Sequence, residues 1–241
     1  MKTSLLTLAL AAASFVAAAQ SRPGSSPTVL ASAAGPVASA APSAYVAVMT
    51  TTIAAQNAAT TPAEVQASLA QLERVAAAAP SAWEPRYYQA RGYLKLGFAN
   101  PDDDQRDKLF DRAQAALDQA KQLPGAEQAE VLILQAYIYQ GRIMVSPMTR
   151  GMVYTGRVSD ALTQAQALAP NNPRVHLLLG NDLYYRPAVF GGGAAKAQPH
   201  YARAKALFAT FKPATVLSPT WGEKMAESML AKATADVAAT K

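Results

Sequence analysis

Between Arg186 and Lys196 the chain reads RPAVFGGGAAK, three consecutive glycines with an aromatic before them and a lysine three residues after. Such a run suggests phosphate chemistry. A P-loop needs a glycine, four residues, then Gly-Lys-Ser/Thr after a strand, so that backbone N–H groups and the lysine surround the phosphates. Here Lys196 follows two alanines, no hydroxyl follows it, and the preceding NDLYY is helical in pattern. The dinucleotide fingerprint fails as well, because its third glycine position is Lys196. No nucleotide, and no other cofactor, is indicated. What remains is a wide turn: Pro187 ends one helix, Gly191, Gly192 and Gly193 reverse the chain, and the next helix starts near Ala194. Helix N-termini attract anions through unpaired N–H groups and the helix dipole. Arg186, Lys196, Arg203 and Lys205 cluster around this one in sequence, so a ligand carboxylate or phosphate is the chemistry the turn would suit.

Other candidate residues lie close by. Asn181 and Asp182 sit mid-helix, where their side chains compete for backbone groups. One of them is expected to line a groove or to hydrogen-bond a neighbouring loop, with plain exposure the alternative. Tyr184, Tyr185 and Tyr201 are placed to stack on a ligand or to fill the core. The expected ligand- or partner-binding set is Asn181, Asp182, Tyr185, Arg186, Phe190, Gly191, Gly192, Gly193 and Lys196. His176 and His200 lack a ligand spacing such as His-x-x-x-His, so no metal site is expected. Asp102-Asp103-Asp104 lacks the alternating acids, glycine and terminal glutamate of a calcium loop. No Ser/His/Asp arrangement and no convergent acid–base pair is visible, so the chain is not read as an enzyme. Nor is there a basic–aromatic motif for nucleic acid.

Positioning these side chains falls to helices. Alanine dominates an apolar share of 51%, aromatics are 7%, and charged residues are 16%. Alanine is the best helix former and a poor strand residue, which makes the chain all-helical. Thr61-Pro62-Ala63-Glu64 is a capping box with proline at the first helical position. Asn100-Pro101-Asp102-Asp103 and Asn172-Pro173 start helices similarly, and Thr220-Trp221-Gly222-Glu223 reads as a further capping box. Stops fall at Pro80, Pro124, Pro170 and Pro213, spaced 44, 46 and 43 residues apart. A period of that size marks a helical repeat. After each of the first three prolines comes a helix with a small residue and a larger one three on: Ala90 and Tyr93, Ala136 and Tyr139, Gly180 and Leu183. A second amphipathic helix closes each interval, through Ala113, Leu117 and Ala120, then Val158, Leu162 and Ala165, then Tyr201, Ala204, Phe208 and Phe211.

These intervals resemble the tetratricopeptide repeat, most closely where ALAP, ending at Pro170, runs into NNPRVHLLLG, and next in the WEPRYYQARGY after Pro80. A standard unit is about 34 residues, and these are some ten longer, with the excess in long helices or in connectors such as GFANPDDDQRDK and RIMVSPMTRG. A HEAT-like pairing has the right length and stays open. The resemblance implies a right-handed α-solenoid over residues 43–241, each pair stacking on its neighbours, with a terminal helix closing the stack through Met225, Met229, Leu230 and Val237.

The N-terminal 42 residues belong to no such pair. Lys2, the apolar run Leu5 to Val16 and Ala17-Ala18-Ala19 form a secretory signal peptide over residues 1–19. Residues 20–42, rich in Ser, Ala, Gly and Pro, read as a flexible leader. No later apolar stretch is long enough for a transmembrane anchor. With no cysteine in the chain, disulfides and thiol chemistry are absent. Export, with a periplasmic destination, is the expectation. The formal net charge is +6, and residues 140–212 hold nine basic side chains against two acids, Asp160 and Asp182. The expected function is non-catalytic: a groove on the first helices of the pairs binds a peptide or protein partner in the cell envelope. The long pairs and the aromatic-glycine turn also resemble exported tetratricopeptide-like proteins of Gram-negative bacteria. Some of those accompany TRAP-type transporters, which makes binding of a small anionic solute the alternative.

Overall fold

The computed structural model describes residues 43–240, and residues 1–42, where the signal peptide and leader are expected, lie outside the described residues. The helices are α1 (Ala44–Ala58), α2 (Pro62–Ala78), α3 (Glu84–Ala99), α4 (Asp103–Gln122), α5 (Gln128–Val145), α6 (Pro147–Leu168), α7 (Pro173–Tyr185), α8 (Ala194–Phe208) and α9 (Glu223–Ala239), with a 3-10 turn at Ala188–Phe190. No strand occurs among the described residues, so the all-helical class stands. None of these helices is long and apolar enough to cross a membrane.

Short turns pair α1 with α2, α3 with α4, α5 with α6, and α7 with α8. Contacts also run from α1 to α3, α3 to α5, α5 to α7 and α7 to α9, so the odd-numbered helices form one continuous row. Each even-numbered helix packs against its own partner and the next odd-numbered helix. The small residues make this spacing possible. Ala90 and Ala136 on the row, and Ala113, Ala120 and Ala165 behind it, are all fully buried. Val158 and Leu162 of α6 are fully buried and Leu117 of α4 nearly so, as their 3.6-residue spacing requires.

Local starts and stops follow the sequence in most places. Thr61 accepts from the Glu64 amide while the Glu64 carboxylate accepts from the Thr60 and Thr61 amides, Thr60 first, which holds that carboxyl down to about 2. Asn172 caps α7 by accepting from the Arg174 amide at 3.1 Å. At the start of α4 the cap is Asp102, and Asn100 instead closes a turn by accepting from the Asp102 amide. In the second and third pairs the extra length resides in helices, since α4 and α6 span 20 and 22 residues and only Ser146 separates α5 from α6. In the fourth, α7 and α8 are 13 and 15 residues and the length lies in the connectors around them. Phe211, expected on the α8 stripe, lies beyond the helix, which ends at Phe208.

The largest departure is at Thr220. No capping box forms there; α9 starts at Glu223 behind Gly222, whose φ of 113° places it in the left-handed region. The cause is long-range. The Trp221 ring is buried, 4% exposed, so the backbone must turn abruptly beside it, and a Cβ on Gly222 would meet Phe208 at 2.9 Å. Along α9, Met225, Met229, Leu230 and Val237 are half-buried, whereas Ala226 and Ala233 are fully buried.

Candidate functional site

Asn181 faces α8 and is buried: the Tyr201 hydroxyl donates to its Oδ1 at 3.0 Å. Gly180 beside it lets that ring in, since a Cβ there would lie 2.5 Å from Tyr201 Cε1. At the next position, the Asp182 carboxylate pairs with Arg186 one turn on. Burial raises the Asp182 carboxyl above its ordinary value, and Arg186 opposes that shift. The Arg186 charge is thus met within the protein.

The glycine turn closes on itself. The Gly191 amide donates to Ala188 at 2.9 Å, Gly192 to Pro187 at 3.2 Å and Gly193 to Leu183 at 2.8 Å, the last satisfying a carbonyl at the end of α7. Gly192 is required by close approach, because a Cβ there would sit 2.0 Å from the Arg186 carbonyl oxygen. Lys196 is exposed on the first turn of α8. What this turn presents to solvent is apolar: Tyr185, Val189 and Phe190 are 68, 83 and 71% exposed. The nine residues expected together therefore divide into a buried Asn181, an internal ion pair, three inward-bonded glycine amides, a solvated lysine and a projecting aromatic rim.

A second constellation escapes local sequence reading. The segment 209–222 leaves α8 and runs back to α3 and α5. There the Tyr88 hydroxyl donates to the Leu217 carbonyl at 3.0 Å, and the Ser218 hydroxyl donates to Glu127. Burial raises the Glu127 carboxyl, with the Ser218 bond working against it. The Trp221 indole N–H donates to the Tyr87 hydroxyl at 3.0 Å, and Tyr87 in turn donates to Glu130 at 3.4 Å. Glu130 also accepts from Asn172 at 2.6 Å and from Arg174 through two bonds, at 3.0 and 2.5 Å. Tyr87 and Arg174 are fully buried and Glu130 nearly so.

Aromatic rings extend from this buried network. Trp221 stacks on Tyr137 with centroids 5.8 Å apart and planes 14° from parallel, and Phe98 lies 4.8 Å from Tyr137 with its ring tilted by 31°. The Tyr137 hydroxyl reaches the Met225 sulfur at 3.6 Å. Beside them, on α3, the Arg91 guanidinium sits 5.5 Å from the Trp221 ring centre and donates to Gln56 Oε1 at 2.9 Å. Lys95, one turn later, donates to the α1 carbonyls of Gln56, at 3.3 Å, and Ala59. Phe98, Tyr137, Arg91, Lys95 and Met225 are all half-buried. The face carried by α3 and α5, reached from α9 by Met225, thus combines polarisable rings with the positive charge of Arg91 and Lys95. Its one sequence signal is a tryptophan followed by glycine in a polar connector.

The two histidines meet across α7 and α8 with ring centroids 6.1 Å apart. Both are half-buried, and burial lowers both below the ordinary imidazole value; His200 and Arg203 lower His176 further. No group of three or more His, Cys, Asp or Glu able to hold a metal occurs among the described residues.

No protein-family model matches the chain, and no curated protein matches it. Among solved structures it is similar to the HusA haemophore from Porphyromonas gingivalis, at 31% sequence identity and a TM-score of 0.71, over 80% of this chain and 94% of the other.

Proposed function

The chain belongs to the family of the HusA haemophore, and from that membership we propose that it is a non-catalytic binding protein for haem or a related planar tetrapyrrole. The single observation that carries the reading is the shared sequence and fold across nearly the whole of a protein that is itself a haemophore. The aromatic face supports it. Phe98, Tyr137 and Met225 offer a half-buried polarisable surface backed by the buried Trp221 ring, and Tyr185 and Phe190 form an exposed apolar rim.

In this reading the helix pairs are long tetratricopeptide-like units, and the row of odd-numbered helices is the ligand-bearing face. The spacing of Tyr87, Glu130 and Arg174, 43 and then 44 residues apart on successive odd-numbered helices, supports a repeat of that length. The N-terminal segment, read as a signal peptide, delivers the protein across the inner membrane to the periplasm. A protein partner in the envelope is the second reading. It is favoured by the apolar patch of Met148, Met152 and Val153 on α6, exposed by 87, 90 and 52%.

The test is titration of the mature protein with haemin, followed by absorbance. Saturable growth of a shifted Soret band is expected, with quenching of Trp221 emission. A haemin spectrum that stays that of the free compound at micromolar protein overturns the haem reading and leaves the protein-partner reading standing.

A further inference from the structure

Arg91 and Arg86 on α3 are both half-buried with only a neutral glutamine for a side-chain partner, and of the two it is Arg91 that lies over the Trp221 ring. Arg142, Arg150, Arg174 and Arg186 each face a carboxylate. Arg91 faces none among the described residues: its one side-chain bond goes to the neutral Gln56 amide oxygen, and its flat side lies against the Trp221 ring. Lys95 is one helical turn away; burial first and then the Arg91 charge lower its ammonium from the ordinary value, with Glu64 opposing, while Arg91 itself feels Arg174 as repulsion. Burial lowers the Arg91 guanidinium from its ordinary value, and the Arg174 charge adds to that effect.

Holding a cation half out of water without a counter-ion is unfavourable, and a fold that needed only packing would place a neutral side chain there. Such a residue is retained at the expense of stability when a ligand supplies the missing charge. A guanidinium offers a fork of N–H donors that matches a carboxylate in two parallel bonds. One donor of Arg91 is used on Gln56, and the rest have no protein acceptor among the described residues.

We propose that Arg91 is the recognition residue for a carboxylate carried on the edge of a planar aromatic ligand, with the ring system lying toward Tyr137 and Phe98. The inference rests on the reading that a tetrapyrrole binds this face, and it goes further: it makes the protein selective for macrocycles with free carboxylates. Lys95, tied to the C-terminal carbonyls of α1, adds long-range attraction and makes no second clamp.

The experiment compares haemin with its dimethyl ester, in which both carboxylates are blocked, on the wild-type protein and on Arg91→Gln, with melting temperature recorded for each. Wild type is expected to bind haemin roughly ten- to a hundredfold more tightly than the ester, the range for a hydrogen bond to a charged group. Arg91→Gln is expected to bind the two equally, at the wild-type ester affinity, and to melt no lower than wild type. Arg91→Lys should recover part of the preference. Equal wild-type affinity for acid and ester overturns the Arg91 assignment while leaving the tetrapyrrole reading intact. Failure of wild type to bind either compound overturns both. A lowered melting temperature with equal losses for both ligands makes Arg91 structural and also overturns the proposal.

Discussion

Tyr137 on α5 and Trp221, just ahead of α9, lie nearly parallel with ring centroids 5.8 Å apart, although one belongs to the middle of the helical row and the other to the connector that follows its last pair. The contact places an aromatic surface where the periodic helices alone would leave a seam. It also fixes the Trp221 edge so that its N–H meets Tyr87.

Replacing Trp221 by alanine removes that stack, the Tyr87 bond and a buried ring together. The expected loss is about 3–5 kcal/mol of unfolding free energy, the range for deleting a buried large aromatic. Trp221→Phe keeps the stack and leaves Tyr87 without its donor, which should lose about 1 kcal/mol. Urea unfolding followed by circular dichroism measures both, and near-equal midpoints for the two variants would contradict the stacking contribution.

Glu130 and Arg174 form a buried pair whose removal should be strongly asymmetric. Glu130→Ala leaves the Arg174 charge buried and uncompensated, at a penalty of about 3–5 kcal/mol. Replacing both partners with apolar residues, Glu130→Leu with Arg174→Met, should be less destabilising than Glu130→Ala alone, because no orphaned charge remains. The check is a comparison of urea midpoints at neutral pH. A double variant as unstable as the sum of its singles would show that the pair does not act as a unit.

Acid should loosen the α7–α8 seam. His176 and His200 are both disfavoured as cations in the folded protein, by burial first and, for His176, by His200 and Arg203 as well. In the unfolded chain each takes up a proton near pH 6.5. Stability is therefore full above about pH 6.5 and falls as the pH drops below it, down to the lower value that each histidine has in the fold. Urea midpoints at pH 7.5 and 5.5 should differ for wild type and differ less for His176→Gln combined with His200→Gln. An identical fall in that variant would place the acid sensitivity elsewhere.

Tyr185 and Phe190 project from the glycine turn and carry little packing. Changing both to alanine should alter unfolding free energy by no more than about 0.5 kcal/mol, as for ordinary surface sites. Haemin affinity should fall several-fold if the rim touches the macrocycle. Unchanged affinity would confine the ligand to the Tyr137 side of the face.

What was legible in the sequence was local. The capping box at Thr61, the cap at Asn172 and the start of α8 at Ala194 each depend on a few neighbouring residues, and each forms as its pattern requires. The 3.6-residue stripes of α4 and α6 likewise announce the buried face. The fate of Trp221 was not legible. TWGE satisfies the local grammar of a helix start, yet burying the indole against α3 and α5 outweighs a single capping bond, and the backbone gives way at Gly222. Arg91 escaped for a related reason. A basic residue in the middle of a helix looks solvated until the absence of any facing acid is known, and that depends on which side chains α1, α5 and the connector bring near. One signal was available: Tyr87, Glu130 and Arg174 recur at the helix-pair period, and a charged pair at that period predicts facing positions on adjacent odd-numbered helices.

The run-back of residues 217–221 onto α3 changes how the molecule must come apart. An array of helix pairs that touch only their neighbours can fray from either end, losing one pair at a time. Here the bonds from Tyr88 to Leu217 and from Trp221 to Tyr87 join positions 129 and 134 residues apart, and Thr220 accepts a bond from Asn57 across 163. The connector ahead of α9 thus acts as a buckle on α1 and α3. Opening the last pair withdraws support from the first, the contacts that close the structure form only after most of the chain is in place, and unfolding becomes one cooperative event in which no single pair is independent.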